Sequence, residues 1–570
     1  MPRAHLPRPS SAGRRATRST FLHSATPEII DAALLPILFM DARGRPTMAN
    51  RGKSRLDCRL RYNRPIMPSA RYPTIWLSLI SLLLTPRPAP AADGPMPLVS
   101  INAARDLGPV PRRLFGTNLR QNMEQDDRIR TFLRDTGITL FRYPDSIDQG
   151  YTWDWAAGGV MVQDGQPLIS KLARFDTALD LARGLKAEMF FTLKVHGSSP
   201  QEAARTVTEA RKRGFGGSCW CFGNEPYFKG DKHYIPREAY VELVNSYAPA
   251  MKQADPDIRL GIAWGGPWIE ENSDKGRDSF VLRNTARWVD FVDFHFYTGR
   301  WEKASGIEPK KIMAGSLLVA QDTRKFREIF QREAPEKAER IEVHCWEWNG
   351  PPWPEVGGIQ TLATALFAAD ALGEMARCGV KAAIQYNLQE HACGLIPGWE
   401  QDRTGSWPTE PWNGKTIRPL AYAIHLWSRE MGPVLVDSKV SNVGSYSTKD
   451  WHTLVNYQGE VPLLATHATR SEDGKSLRLL VVNRDEKQAI EARVAIEGFV
   501  PSAQAEVLTL NGPSALSHND VANRQPAYHS FRDAPEPIVR LTRALYSVSG
   551  AVFQYPFPAH SATVIRLQAR

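Results

Sequence analysis

Between residues 114 and 430 the chain alternates, eight times over, a short apolar run of strand character with a run of helical character. Eight such pairs fit a closed parallel barrel better than an open sheet, and no other feature restricts the fold as much. Barrel strands are expected at 114–119, 139–143, 188–195, 218–223, 259–264, 291–296, 341–346 and 382–387. Helices are expected at 126–135, 175–185, 200–213, 237–253 and 417–430, and within 310–332 and 360–378. After Gly432 the helical period gives way to short apolar runs separated by turns, including 461–465, 477–483, 489–496, 505–510 and 562–567, at the spacing of a β-sandwich. The strand near Leu98 has no barrel partner and is placed with that second layer. The expected class is therefore α/β: a (β/α)8 TIM barrel over 114–432, a C-terminal β-sandwich over 433–570, and 93–113 joining the sandwich.

The formal net charge of +10 suggests a nucleic-acid binder, but its distribution argues otherwise. Fifteen of the 71 Lys and Arg and only four of the 61 Asp and Glu precede Asp93, so the remainder is close to neutral. Residues 67–92 have the form of a secretory signal: Arg71, the apolar run TIWLSLISLLLT over 74–85, and small residues ending at Ala92. At 12 residues the run is too short for a permanent membrane span, which needs about 20. A secreted or periplasmic protein is expected, with no stable membrane insertion and no nucleic-acid partner. Residues 1–66, biased to Arg, Pro and Ser, read as untranslated or as a disordered leader. Six cysteines match no zinc spacing; buried thiols are expected, with Cys378 to Cys393 open as a disulfide.

Two of the predicted strands end in a glutamate. Gly223-Asn224-Glu225-Pro226 closes the fourth, and Glu347-Trp348-Asn349 follows the seventh. Strand C-termini are where a (β/α)8 barrel keeps its chemistry. Two carboxylates converging there are the minimum for breaking a glycosidic bond, one as proton donor and one as nucleophile or base. Asn224 is placed to hold a sugar hydroxyl. His295 and Tyr297 alternate on one face of the sixth strand, and Tyr297 is suited to donating a hydrogen bond to the nucleophile. Arg142, at the end of the second strand, either orients Glu347 or makes a buried structural ion pair. Trp153, Trp268, Trp348, Trp353 and Trp399 are candidate sugar platforms, since pyranose and furanose rings present apolar C–H faces. His233, His295 and His344 lack a carboxylate at ligand spacing, so neither metal nor cofactor is expected, and the expected partner is a carbohydrate. The Gly-, Pro- and Trp-rich segment 394–414 is expected to overhang the strand ends.

At these residues the sequence resembles the retaining glycoside hydrolases of clan A, most of all family 51, the α-L-arabinofuranosidases. Leu114-Phe115-Gly116, Phe141-Arg142-Tyr143-Pro144 and Gly150-Tyr151-Thr152-Trp153 carry the likeness beside the two glutamate motifs. The resemblance implies Glu225 as acid/base and Glu347 as nucleophile. It also implies a sugar subsite lined by Asn224, Arg142 and Tyr297, with a contact from Gln385, Asn387 or Gln389. Two features depart from the family. Arg120, or Glu124 further on, stands where the family has a furanose-gripping carboxylate, and Pro144-Asp145-Ser146-Ile147 replaces its Pro-Gly-Gly-Asn. The substrate alternatives are an α-L-arabinofuranoside, a β-xyloside, β-glucoside or β-glucuronide, or a glycan cut internally. A non-catalytic carbohydrate-binding protein is the alternative of another class.

Overall fold

The computed structural model describes residues 95–120, 126–144, 151–163, 165–168, 171–298, 308–350, 360–390, 393–397, 412, 414–449, 457–519 and 537–570. The chain enters through β1 (Leu98–Pro109), then β2 (Gly116–Asn118), α1 (Asp127–Thr136) and β3 (Leu140–Tyr143). α1 begins where Asp126 Oδ1 accepts the Ile129 N–H at 2.9 Å and stops at Gly137, in the left-handed region at φ +79°. Both ends thereby supply partners that a helix terminus otherwise lacks. A three-stranded antiparallel sheet is inserted next: β4 (Tyr151–Asp154), β5 (Val160–Gln163) and β6 (Gln166–Pro167). These strands of two to four residues are too short for a period-2 pattern to register.

The regular alternation then resumes through α2 (Phe175–Leu185), β7 (Glu188–Leu193), α3 (Pro200–Lys212), β8 (Cys219–Phe222), α4 (Arg237–Ala254) and β9 (Arg259–Trp264). It continues with the short α5 (Gly266–Trp268), α6 (Arg277–Thr285), β10 (Phe291–Tyr297), α7 (Pro309–Ala314), α8 (Ser316–Glu333), β11 (Glu342–Asn349), α9 (Leu362–Arg377), β12 (Ala382–Gln385) and α10 (Pro419–His425). Eight parallel strands close in the order β10-β11-β12-β2-β3-β7-β8-β9. The expected barrel is present, with two differences of detail. The helix within 310–332 is split at Gly315, whose Cβ would collide with Thr298. The seventh strand runs on to Asn349, so Glu347 lies inside it rather than after it.

The lower barrel is filled, not hollow, as its diameter requires. Phe291 stacks on His344 at 4.4 Å and on Trp346 at 5.2 Å, and Phe190 lies 5.3 Å from Trp346. Gly261 on the neighbouring strand makes room, since a Cβ there would sit 2.0 Å from the Phe291 ring. This aromatic plug is the floor on which the polar upper layer rests.

The remaining strands are β13 (Val434–Ser441), β14 (Ser445–Ser447), β15 (Glu460–Pro462), β16 (Leu464–Arg470), β17 (Ser476–Asn483), β18 (Ile490–Glu497), β19 (Pro501–Asn511), β20 (Arg540–Ser547), β21 (Val552–Phe557) and β22 (Ser561–Ala569). Apart from β14 and β15, they join β1 in one nine-stranded sheet, ordered β20-β19-β22-β17-β16-β13-β1-β18-β21. β1 pairs antiparallel with β13 and parallel with β18. Val99, Ile101, Leu479, Val494, Val507, Phe553 and Ile565, from strands spread across the sheet, meet in one apolar core. The five cysteines among the described residues are free, so Cys378 and Cys393 are not bridged. No described helix is long and apolar enough to cross a membrane.

α9 joins the two layers. Its Leu362 and Ala363 N–H groups donate to the carbonyls of Ser517 and Ala515, both at 2.8 Å. Midway along it, buried Asp370 takes the Nε2 of His467 (β16) at 2.7 Å on one oxygen, and Arg484 and Ser316 on the other. Burial alone would raise the Asp370 pKa, but Arg484, His467 and Ser316 together hold it well below the usual carboxylate range. A depressed folded pKa contributes stability above the unfolded value of about 3.9, and that stability is lost as pH falls toward the folded value. Asp370→Asn, which keeps the volume and removes the charge, is expected to lower unfolding stability by about 3–5 kcal/mol in urea titrations at pH 7. A loss below about 1 kcal/mol would show that the charge does not anchor this junction.

Candidate active site

Glu225 and Glu347 reach the same point by different backbone devices. β8 ends at Phe222, and Gly223 (φ +82°) and Glu225 (φ +50°) both turn left-handed, a conformation that costs a non-glycine residue about 1–2 kcal/mol. Pro226 follows, and the turn is tied by the Gly223 N–H to the Leu193 carbonyl at 3.1 Å. Glu347 is aimed by a bulge. On β10 the inward residues are Phe291, Asp293, His295 and Tyr297, in period 2. The ladder pairs Phe294 with Cys345 but His295 with Glu347, leaving Trp346 as an extra residue. Without that residue Glu347 would point out of the barrel, because a slip of one reverses every face. The Trp346 N–H set loose by the bulge is taken by Asp293 Oδ1 at 2.9 Å.

Arg142, on β3, is wholly buried and binds across the barrel. Its Nη1 donates to Glu347 Oε1 at 2.6 Å and to Asn118 Oδ1 at 3.2 Å, its Nη2 to Asn224 Oδ1 at 2.5 Å, and its Nε to Thr192 Oγ1 at 2.8 Å. The guanidinium stands 5.9 Å above the Trp346 ring. Tyr297 Oη donates to the other oxygen, Glu347 Oε2, at 2.9 Å. His295 Nδ1 lies 2.7 Å from Glu225 Oε1 and 3.4 Å from Glu347 Oε2, with its Nε2 3.7 Å from Asp293 Oδ2. One carboxylate oxygen of each glutamate and a ring nitrogen of His295 fall within 4.8 Å of one another. That cluster is compact enough for a cation, but both Glu347 oxygens are already bonded and the Arg142 charge is 2.6 Å away.

The electrostatics separate the two glutamates. Burial drives the Glu225 pKa up, the nearby Glu347 charge adds to this, and His295 and Arg142 only partly offset it. For Glu347 burial also pushes upward, but His295, Arg142 and the Tyr297 hydroxyl outweigh it and hold the pKa below the usual range. Burial disfavours a charged His295, yet Glu347, Asp293 and Glu225 together raise its pKa to about 10. Burial and the Glu347 charge keep Tyr297 protonated. The two glutamates are therefore displaced in opposite directions, Glu225 toward the acid and Glu347 toward the carboxylate, while His295 is a cation near neutral pH.

The sequence-derived candidates separate into three groups. Glu225, Glu347, Asn224, Arg142, Tyr297 and His295 converge. Trp348 does not: it is fully buried on the outward face of β11, its ring 6.4 Å from Phe367 of α9. The same bulge that turns Glu347 inward turns its neighbour outward. Trp268 is half-buried, packed 6.4 Å from Phe228. Asn387, just past β12, is buried and donates to Glu390 at 3.4 Å, while Gln385 is bonded to Thr117 and the Cys393 carbonyl. Trp153 stacks on Trp155 at 5.4 Å, beside Phe175. Glu124, Trp353, Trp399, residues 145–147 and most of 394–414 lie outside the described residues. Asn118, Thr192 and Asp293 were not anticipated; Asp293 continues the period of His295 and Tyr297 and was legible there.

No family model matches the chain. Two curated relatives do. An intracellular exo-α-(1→5)-L-arabinofuranosidase of Streptomyces lividans is 24% identical over 493 residues, covering 75% of this chain and 68% of the relative. Its namesake from Bifidobacterium longum is 22% identical over 540 residues, covering 78% and 88%. Among solved structures, a thermostable GH51 α-L-arabinofuranosidase from Thermotoga petrophila superposes with a TM-score of 0.65 at 18% identity, over 83% of this chain and all of that one. The chain is a glycosidase similar to the family 51 α-L-arabinofuranosidases. Both relatives are named intracellular, which corrects the expectation of a secreted or periplasmic protein. That expectation rested on a local pattern, a 12-residue apolar run before small residues, which composition can produce without an export function. The charge assignment is open to direct measurement. In ¹⁵N histidine NMR, His295 is expected to remain imidazolium at pH 7 and to titrate near 10, with Asp293→Asn lowering that value. Titration near the unperturbed value of about 6.5 would contradict the assignment.

Proposed function

We propose that this glycosidase is a retaining α-L-arabinofuranosidase that acts by a two-glutamate double displacement. The observation that carries the mechanism is the pair itself: carboxylate oxygens of Glu225 and Glu347 within 4.8 Å, their pKa values displaced in opposite directions. Retaining enzymes keep their carboxyl groups about 5–5.5 Å apart, whereas inverting enzymes need about 6.5–9.5 Å to admit water between. The names of the two curated relatives support arabinofuranose as the sugar.

In the first step protonated Glu225 gives its proton to the glycosidic oxygen as the bond from that oxygen to the anomeric carbon breaks. The Glu347 carboxylate attacks that carbon and forms a glycosyl ester. Arg142 and Tyr297 occupy one oxygen each, holding the carboxylate ionised and its orientation fixed. Once Glu347 is esterified its negative charge is gone, so the field that kept Glu225 protonated weakens. Glu225 then takes a proton from water, the hydroxyl attacks the same carbon, and Glu347 leaves as carboxylate. Asn224, held by Arg142, is positioned beside Glu225 to bond a ring hydroxyl of the sugar.

Activity needs Glu347 ionised and Glu225 protonated. The profile of kcat/KM is therefore expected to be bell-shaped, with an acid limb below the ordinary glutamate value of about 4.3 and an alkaline limb above it. Glu347→Ala is expected to lower kcat on 4-nitrophenyl α-L-arabinofuranoside by about 10⁴-fold or more, as loss of a nucleophile does in other enzymes. Glu225→Ala is expected to cost about 10²–10⁴-fold on substrates with poor leaving groups, and much less on the nitrophenyl glycoside, whose leaving group needs little protonation. Full activity of Glu347→Ala, or inversion at the anomeric carbon by NMR, would overturn the mechanism. Activity on a β-xyloside or β-glucoside in place of the arabinofuranoside would overturn the substrate alone.

A further inference from the structure

At the carboxyl ends of the adjacent strands β2 and β12 lies a second charged pair that the mechanism does not use. Arg120, two residues past β2, donates through Nη1 to Glu390 Oε1 at 3.0 Å and to Tyr386 Oη at 3.1 Å. The two charged side chains are only 15% and 10% exposed. Glu390 is itself fixed, its Oε2 accepting the Cys393 N–H at 3.1 Å and the Asn387 Nδ2 at 3.4 Å, with its carbonyl bound by buried Arg418.

This corner borders the glutamate centre through short connections. Tyr386 accepts from Asn349 Nδ2 at 2.5 Å and donates its N–H to the Trp348 carbonyl at 3.1 Å, so it is braced on the strand carrying Glu347. Asn118, two residues before Arg120, bonds both Arg142 and the Trp346 carbonyl. Tyr297, which donates to Glu347, lies within electrostatic reach of Tyr386 and Cys393.

We propose that the Arg120–Glu390 pair is a specificity-determining element that restricts the glycosyl subsite to neutral sugars. Arg120 alone would present a cation to a sugar carboxylate. With Glu390 at 3.0 Å that charge is already matched, and a uronate entering the corner meets a fixed carboxylate in a poorly solvated place. The pair still offers donors and an acceptor to neutral hydroxyl groups. The inference rests on the placement of the sugar over Glu225 and Glu347.

The test compares kcat/KM for the neutral aryl glycosides (α-L-arabinofuranoside, β-xyloside, β-glucoside) with that for the β-glucuronide, in wild type, Glu390→Gln and Arg120→Gln. Glu390→Gln keeps an amide oxygen for the Cys393 N–H while removing the charge that matches Arg120. The wild type is expected to turn over the glucuronide at least about 100-fold less well than the best neutral substrate. Glu390→Gln is expected to narrow that ratio about tenfold or more, and Arg120→Gln to widen it. A merely structural role would lower both activities together and leave the ratio unmoved, which would overturn the proposal, as would a wild type that prefers the glucuronide. Should no glycoside be cleaved, the catalytic reading fails while the specificity reading remains measurable by thermal shift with D-glucuronate. The salt is expected to stabilise Glu390→Gln and not the wild type. Stabilisation of both, or of neither, would overturn it.

Discussion

A guanidinium with no solvent exposure must have every charge and donor answered by the protein, and Arg142 imposes that demand at the centre of the barrel. The answers come from residues far apart in sequence. Thr192 stands on β7, Asn224 just past β8, Asn118 at the end of β2 and Glu347 on β11. Four barrel strands other than its own are thus held in register by one side chain, and the planar fork fixes direction as well as distance. Removing any acceptor would leave part of a buried cation unpaired, so the polar layer is ordered as a unit above the aromatic plug of Phe190, Phe291, His344 and Trp346.

That arrangement also makes two like residues chemically unlike. Glu347 receives Arg142 on one oxygen and Tyr297 on the other, whereas among the described residues the Glu225 carboxyl receives only His295, which it shares with Glu347 and Asp293. Burial acts on both glutamates in the same direction; Arg142 and the Tyr297 hydroxyl hydrogen-bond Glu347, whereas at Glu225 the more distant Arg142 charge offsets burial only in part. Opposed pKa displacements follow from placement rather than residue type. The backbone is distorted where this placement is made, in the left-handed Glu225 and in the bulge at Trp346, consistent with strain being concentrated at functional sites.

The C-terminal sheet supports the barrel from outside the chemistry. α9 is buried along nearly its whole length, receives carbonyl caps from Ser517 and Ala515, and carries Asp370 into contact with His467 and Arg484. β1, at the start of the described chain, closes into that sheet between β13 and β18. Along the sequence the barrel is thereby flanked by an N-terminal strand and C-terminal strands that form one sheet.

Much of this was readable from local pattern. Alternating periods of 2 and 3.6 specify eight βα units, and α2 and β9 fall on the residues expected, because each period is set by which face of a short element must be buried. The two glutamates at strand ends, with Asn224, Arg142, His295 and Tyr297, were legible for the same reason. What sequence could not supply is whatever depends on one strand's register against another or on charges meeting across the fold. The bulge at Trp346 decides that Glu347 faces in and Trp348 faces out, against simple alternation. Arg120 reads as a free cation until the fold sets Glu390 beside it, 270 residues later. Periodicity is a property of neighbouring residues and survives in the sequence, whereas pairing between distant residues exists only once the barrel has closed.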